Sequence, residues 1–199
     1  MKRLVTLAFT GIMFLSMTGC KTPSSETGTA ENGLNTAFQT ETEITLDQMK
    51  ASGVLCRFGE GMWEIEFDSP NTLSGVKLEF TDGTSTASYK GLSFSVPQSA
   101  LPVKSMMSNL ISVADELARQ EKLSGESENG EIKISGNLES GEYILTADKS
   151  GNLKRFEMPN MKLVMEFSEM SEIGSEIKPE EITSATVPQT ETETTTVSS

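Results

Sequence analysis

Through the middle of this chain, apolar and polar residues alternate with a period of two. FQTETEITL places Phe38, Ile44 and Leu46 on one face and glutamates on the other. MWEIEFD sets Trp63, Ile65 and Phe67 against Glu64, Glu66 and Asp68, and VKLEF sets Val76, Leu78 and Phe80 against Lys77 and Glu79. The same alternation returns in EIKIS (Ile132, Ile134), YILTA (Tyr143, Leu145) and KLVMEF (Leu163, Met165, Phe167). It predicts antiparallel strands with one face buried and one wet. The separators DSPNTLSG, TDGT, ESENGE, NLESGE and DKSGN are rich in turn formers. In ASYKGLSFSV the apolar set shifts from odd positions (Ala87, Tyr89) to even ones (Leu92, Phe94, Val96) after Gly91. A one-residue phase shift at glycine predicts a β-bulge and a bent sheet.

One segment changes period. After Pro102, VKSMMSNLISVADELARQEKL carries Met106, Leu110, Val113 and Leu117 at helical spacing, flanked by Met107, Ile111, Ala114 and Ala118. Asp115, Glu116, Arg119 and Glu121 fall opposite, so the segment reads as an amphipathic helix of about five turns. A shorter helix is expected near LDQMKA, residues 46–51. A lone amphipathic helix must bury its stripe on the sheet. The expected fold is mainly β, of the α+β class: a strongly curved antiparallel sheet of about eight to ten strands, an incomplete β-barrel, capped by that helix.

The flanks differ. Lys2 and Arg3 precede an apolar run from Leu4 to Met17, shorter than the roughly 20 residues that span a bilayer as a helix. This is the layout of a secretory signal. The run ends in Met17-Thr18-Gly19-Cys20, which resembles the lipobox of bacterial lipoproteins, with Met where Leu is commoner. The resemblance implies that residues 1–19 are a signal peptide and that Cys20 becomes a lipidated first residue. Acyl chains such as palmitate would then anchor it outside the cytoplasm, since two or three chains hold firmly where one is marginal. Residues 20–35, poor in apolar side chains, read as a flexible tether spanning roughly 20 Å. Residues 36–173 form one domain, and the acidic, Thr-rich residues 174–199 read as a disordered tail.

Charge and composition narrow the function. The formal net charge is −13, and loss of the signal's two cations takes it to −15. Such a surface does not grip nucleic acid. The chain has no histidine, which removes Ser-His-Asp and Cys-His catalysis and the commonest zinc ligand. Besides Cys20 there is one cysteine, Cys56, either a small buried hydrophobe or a reactive or intermolecular thiol. Carboxylate pairs could in principle cleave glycosides, but Glu64 and Glu66 fall on the polar face. No enzyme, cofactor or metal site is expected.

The order of GMWEIEFDSPNTLSG, TASYKGLSFSVPQSALP, the helix and GEYILTADKSGNLKRFEMPNMKLVMEFS resembles the LolA-like superfamily of lipoprotein-carrier and lipoprotein-sorting folds. The resemblance implies a half-barrel with a helix over its mouth, and a lipid, lipopeptide or other hydrophobic ligand inside. No arginine of this chain matches the carrier's functional one. The candidate lining residues are Trp63, Ile65, Phe67, Val76, Leu78, Phe80, Leu92, Phe94, Met106, Leu110, Leu117, Met165 and Phe167. The chain's 11 methionines suit an adaptable surface. The alternative is an envelope interaction or assembly protein with a filled core. The discriminating quantity is the free volume beneath the helix.

Overall fold

The computed structural model describes residues 26–81, 83–97 and 105–174. The hydrophobic N-terminal run, Cys20 and the tail beyond residue 174 lie outside these. Among the described residues, no helix is long and apolar enough to cross a membrane.

Among the described residues, the fold is one twelve-stranded antiparallel sheet and one α-helix. β2 (Phe38–Leu46), β3 (Met49–Gly59), β4 (Met62–Ser69), β5 (Lys77–Thr81), β6 (Thr84–Tyr89) and β7 (Leu92–Pro97) form one meander. Helix α1 (Met106–Ala118) follows it. A second meander comprises β8 (Leu123–Glu128), β9 (Glu131–Leu138), β10 (Gly141–Asp148), β11 (Leu153–Met158) and β12 (Leu163–Glu172). β12 pairs with β2 along the seam, and β1 (Glu26–Ala30) pairs with β8 at the far edge. The spatial order is β1-β8-β9-β10-β11-β12-β2-β3-β4-β5-β6-β7, so the sheet stays open, with β1 and β7 as its edges.

Alternation sets the two faces. In β2 and β4 every second residue is buried, including Phe38 and Ile44, then Trp63, Ile65 and Phe67. Ile132, Ile134, Leu145, Leu163, Met165 and Phe167 join them on the inner face. The ladder is interrupted near Ser52/Gly53 and Arg57/Gly59 in β3, at Thr146/Ala147 and at Ser168/Ser171. Such irregularities bend a strand and increase its twist. Gly53 is required at its site, because a Cβ there would lie 2.2 Å from the carbonyl oxygen of Glu66.

Four local expectations give way to other arrangements. The phase shift at Gly91 is a two-residue hairpin turn, not a bulge. Tyr89 pairs with Leu92, and Lys90 and Gly91 have φ of 48° and 81°. Positive φ at both central residues is the type I′ geometry that suits the twist of a hairpin. Residues 46–51 span the β2–β3 hairpin rather than a helix, with a two-residue turn at Asp47 (φ 54°) and Gln48 between Leu46 and Met49. The helix has 13 residues instead of five turns, and β8 begins at Leu123; Val103 and Lys104 lie outside the described residues. The chain joins the fold before residue 36: β1 lies within the expected tether, and Leu34 is fully buried. Asn32 fixes this entry by donating to the carbonyls of Leu117 (2.9 Å) and Gln120 (2.6 Å) at the helix C-terminus.

Helix α1 buries Met107, Leu110, Ile111, Val113, Ala114 and Leu117 on the sheet. At 1.5 Å per residue it is about 20 Å long. Twelve strands about 4.8 Å apart make an arc of roughly 50 Å. One helix cannot cover that surface, and which part it leaves open decides where a site can form.

An open apolar groove as the candidate functional site

Beneath the body of the helix the inner face is filled. Trp63, Phe38, Phe156, Leu55, Ile65, Leu110, Leu145 and Met165 are essentially inaccessible. The Phe38 and Trp63 rings meet edge to face, centroids 5.8 Å apart. A buried polar cluster pins the helix here. Asp115 accepts from Arg57 Nε (3.0 Å), from Trp63 Nε1 (3.2 Å) and from the Gly61 amide (2.8 Å). The Arg57 guanidinium also lies 5.7 Å from the Trp63 ring centre. Asp115, expected on the solvated face, is therefore buried: Arg57 sits on an inward position of β3 and needs a partner there. On the other flank, Asn109 accepts from the Ser140 hydroxyl at 2.9 Å.

The picture changes toward β7. One cross-strand row runs Leu55, Ile65, Leu78, Ala87, Phe94. Leu55 and Ile65 are completely buried, Leu78 is half-buried, and Phe94 is 66% exposed. Leu92 is 77% exposed and Tyr89 41%. These side chains stand on the same inner face as the core but lie past the helix.

Two adjoining hollows follow this uncovered strip, sharing Ala87 and Phe94 in their walls. The deeper, of about 200 Å³, lies between Leu78, Phe80 and Phe94 of the sheet and Met106 and Met107 at the helix N-terminus. The Ser85 hydroxyl lies in its wall, buried and with no hydrogen-bond partner among the described residues. The outer hollow, of about 440 Å³, is bounded by Val76, Leu92, Phe94 and Tyr89 and by Asn71 and Thr72 of the β4–β5 loop. Together they make an apolar groove leading from the helix N-terminus to the end of the β6–β7 hairpin.

The thirteen residues singled out in the sequence divide between these regions. Val76, Leu78, Phe80, Leu92, Phe94 and Met106 line the groove. Trp63, Ile65, Phe67, Leu110, Leu117, Met165 and Phe167 sit in the filled core. Sequence reasoning did not single out Met107, Ala87, Tyr89 or Ser85 as groove residues; the inward parity of Ala87 and Tyr89 with Leu92 and Phe94 was the available signal.

The outer face of the same strands is charged. Lys77 donates to Glu79 (3.0 Å) and Glu64 (3.3 Å), and the hydrogen bond to Glu79 holds its ammonium above the usual lysine range. Cys56 lies on this face, half-buried, and burial pushes its thiol up, away from the reactive thiolate. Among the described residues, no group of three or more acids and cysteines could hold a metal ion.

No protein-family model matches the sequence, and no curated protein matches it. Several solved structures are similar. One is a conserved protein of Thermus thermophilus, 14% identical over 70% of this chain and 80% of that one, with a TM-score of 0.47. Another is a LolA superfamily protein of Nitrosomonas europaea, 12% identical over 70% and 87%, TM-score 0.36. A third is a DUF1329 family protein of Desulfovibrio piger, 12% identical over 70% and 87%, TM-score 0.35. At these scores nothing about a ligand follows. The arrangement itself, an open antiparallel sheet with one helix on its inner face, is the one the family resemblance implied.

Proposed function

We propose that this protein binds a hydrophobic ligand, a lipid or lipopeptide chain, in the groove of β5–β7, and that it does so as a lipoprotein held outside the cytoplasm by acyl chains on Cys20. One observation carries the binding reading: the row from Leu55 to Phe94 keeps core-type residues on its inner face after the helix has stopped covering it. Exposed Leu and Phe side by side in a concave strip lose free energy to water, about 25 cal/mol per Å² of apolar surface. A greasy chain laid in the strip recovers it. Binding sites are typically apolar concavities with few polar groups, and this groove has that character. The filled core and the Arg57–Asp115 cluster make the helix body a fixed plug rather than a lid. Access then runs along the strip, past Met106 and Met107, whose thioethers adapt to irregular shapes.

The reading is of a binding protein and not of an enzyme. The groove walls hold no carboxylate, amine or thiol among the described residues. An envelope interaction protein is the second reading, favoured by the filled space under the helix body.

Native mass spectrometry of the protein extracted from membranes tests the first reading. A co-purifying lipid, lost in Phe94→Glu but kept in Glu166→Gln on the outer face, is the expected result. An empty protein that takes up neither phospholipid nor lipopeptide overturns it and leaves the second reading. The mass of the same sample tests the anchor: loss of residues 1–19 and gain of a diacylglyceryl group on Cys20 is expected, and an unmodified Cys20 overturns it.

A further inference from the structure

We infer that the end of the sheet formed by the β4–β5 loop and the β6–β7 tip docks on a lipid bilayer, with the groove mouth turned into the headgroup layer. The inference starts from how charge is distributed. The chain has 29 acidic and 16 basic residues. Residues 69–76 and 84–97, which supply that loop, β6, the tip and β7, contain a single charged side chain, Lys90, and it is positive. In a chain that an anionic surface repels overall, these two stretches carry no negative charge of their own.

The residue types at this end match a membrane interface. Tyr89 and Lys90 stand together at the tip, the ammonium 5.0 Å from the ring centre. Tyrosine and lysine settle at the headgroup level, where one end is apolar and the other wet. Leu92 and Phe94 follow, 77% and 66% exposed. The outer face of β4 at the same end carries Glu64, Glu66 and Asp68, so this part of the sheet is amphipathic across its thickness. Amphipathic helices lie in an interface by the same division of faces.

The competing occupant, a second copy or another strand added to the β7 edge, fits less well. Edge pairing satisfies backbone groups in the plane of the sheet. Leu92 and Phe94 project from the inner face, so a strand added at the edge leaves them uncovered. A bilayer covers them and brings its acyl chains to the groove. That purpose rests on the hydrophobic-ligand reading; the docking geometry does not.

The test places an environment-sensitive fluorophore at the tip. The full chain, in a Cys20→Ser, Cys56→Ser background that removes both native thiols, carries the dye on Leu92→Cys or, as a second site, on Tyr89→Cys. A control carries it on Glu166→Cys of the outer face. Trp63, the only tryptophan and fully buried, reports in each case that the protein is folded. With phosphatidylcholine vesicles bearing an acyl-chain quencher, the tip dyes should shift to the blue and be quenched several-fold more than the control. Tip dyes unmoved by vesicles overturn the proposal, as does a shift that follows protein concentration without lipid, which would make a second copy the occupant. Uptake of a fluorescent fatty acid, measured on the unlabelled chain, is independent of these outcomes. A chain can therefore fail as a ligand binder and still dock, or dock nowhere and still bind.

Discussion

The inner face of this sheet is one surface with two fates. From β9 round to β4 it is roofed by α1 and packed solid; from β5 to β7 it grows bare, Phe80 still buried, Leu78 half-buried, and Leu92 and Phe94 exposed. The side chains are of the same kinds in both halves, and one register row passes from one to the other without interruption. Whether a residue serves the core or a groove is decided by the reach of a 13-residue helix, not by the residue. The two halves should therefore respond differently to the same kind of injury.

The largest difference is expected at the buried ion pair. Asp115→Ala leaves Arg57 charged and unpaired under the helix, and should destabilise the fold by about 3–5 kcal/mol, read as a lower urea midpoint. Leu110→Ala opens a cavity at the centre of the roofed half and should lose about 2–5 kcal/mol. If either variant unfolds at the wild-type midpoint, the roofed half is not the stabilising one and the comparison breaks. At the boundary, Gly91→Val forces a β-branched residue into φ 81° and should lose about 1–2 kcal/mol. It should also loosen β7 first, seen as faster amide exchange there than in β4.

In the bare half the effect should leave stability and appear in binding. Phe94→Ser should shift the unfolding free energy by no more than about 0.5 kcal/mol and reduce uptake of a fluorescent fatty acid at least tenfold. A large stability loss at Phe94 would return it to the core. The smallest effect is expected at the exposed pair of Glu60 and Arg119, which links the β3–β4 turn to the helix end. The hydrogen bond from Arg119 holds the Glu60 carboxyl below the usual range. Its stabilisation is present above the ordinary carboxylate pKa, roughly 4.3, and disappears as pH falls through the lower folded value. Any stability gap between wild type and Glu60→Gln should thus be constant near neutrality and close on acidification.

The strands were legible because period two survives burial on one face, and the helix because its period differs. β1 was not legible. ETGTA brings little apolar surface, and its pairing rests on small residues, with Gly28 opposite Gly125. Lys-Gly at the β6–β7 tip lacks the Asn-Gly signature of a type I′ turn, so the change of phase read equally well as a bulge. Asp115 was hidden for another reason. A carboxylate beside Glu116 looks solvated until an arginine 58 positions away in sequence is brought under it. The candidate residues were found as a set, but their division between core and groove depends on where the helix ends, which no local pattern encodes.

The seam between β12 and β2 has its own consequence. It joins residues 163–172 to residues 38–46, and, β1 aside, every strand on one side of it belongs to a different meander from those on the other. Neither meander can meet its neighbour until β12, the closing strand of the domain, has been made and delivered. Long-range pairings of this kind slow folding, because a large loop must close before they form. The chain is in effect a clasp whose hook comes last: until β12 has been made, its two meanders stay unlatched.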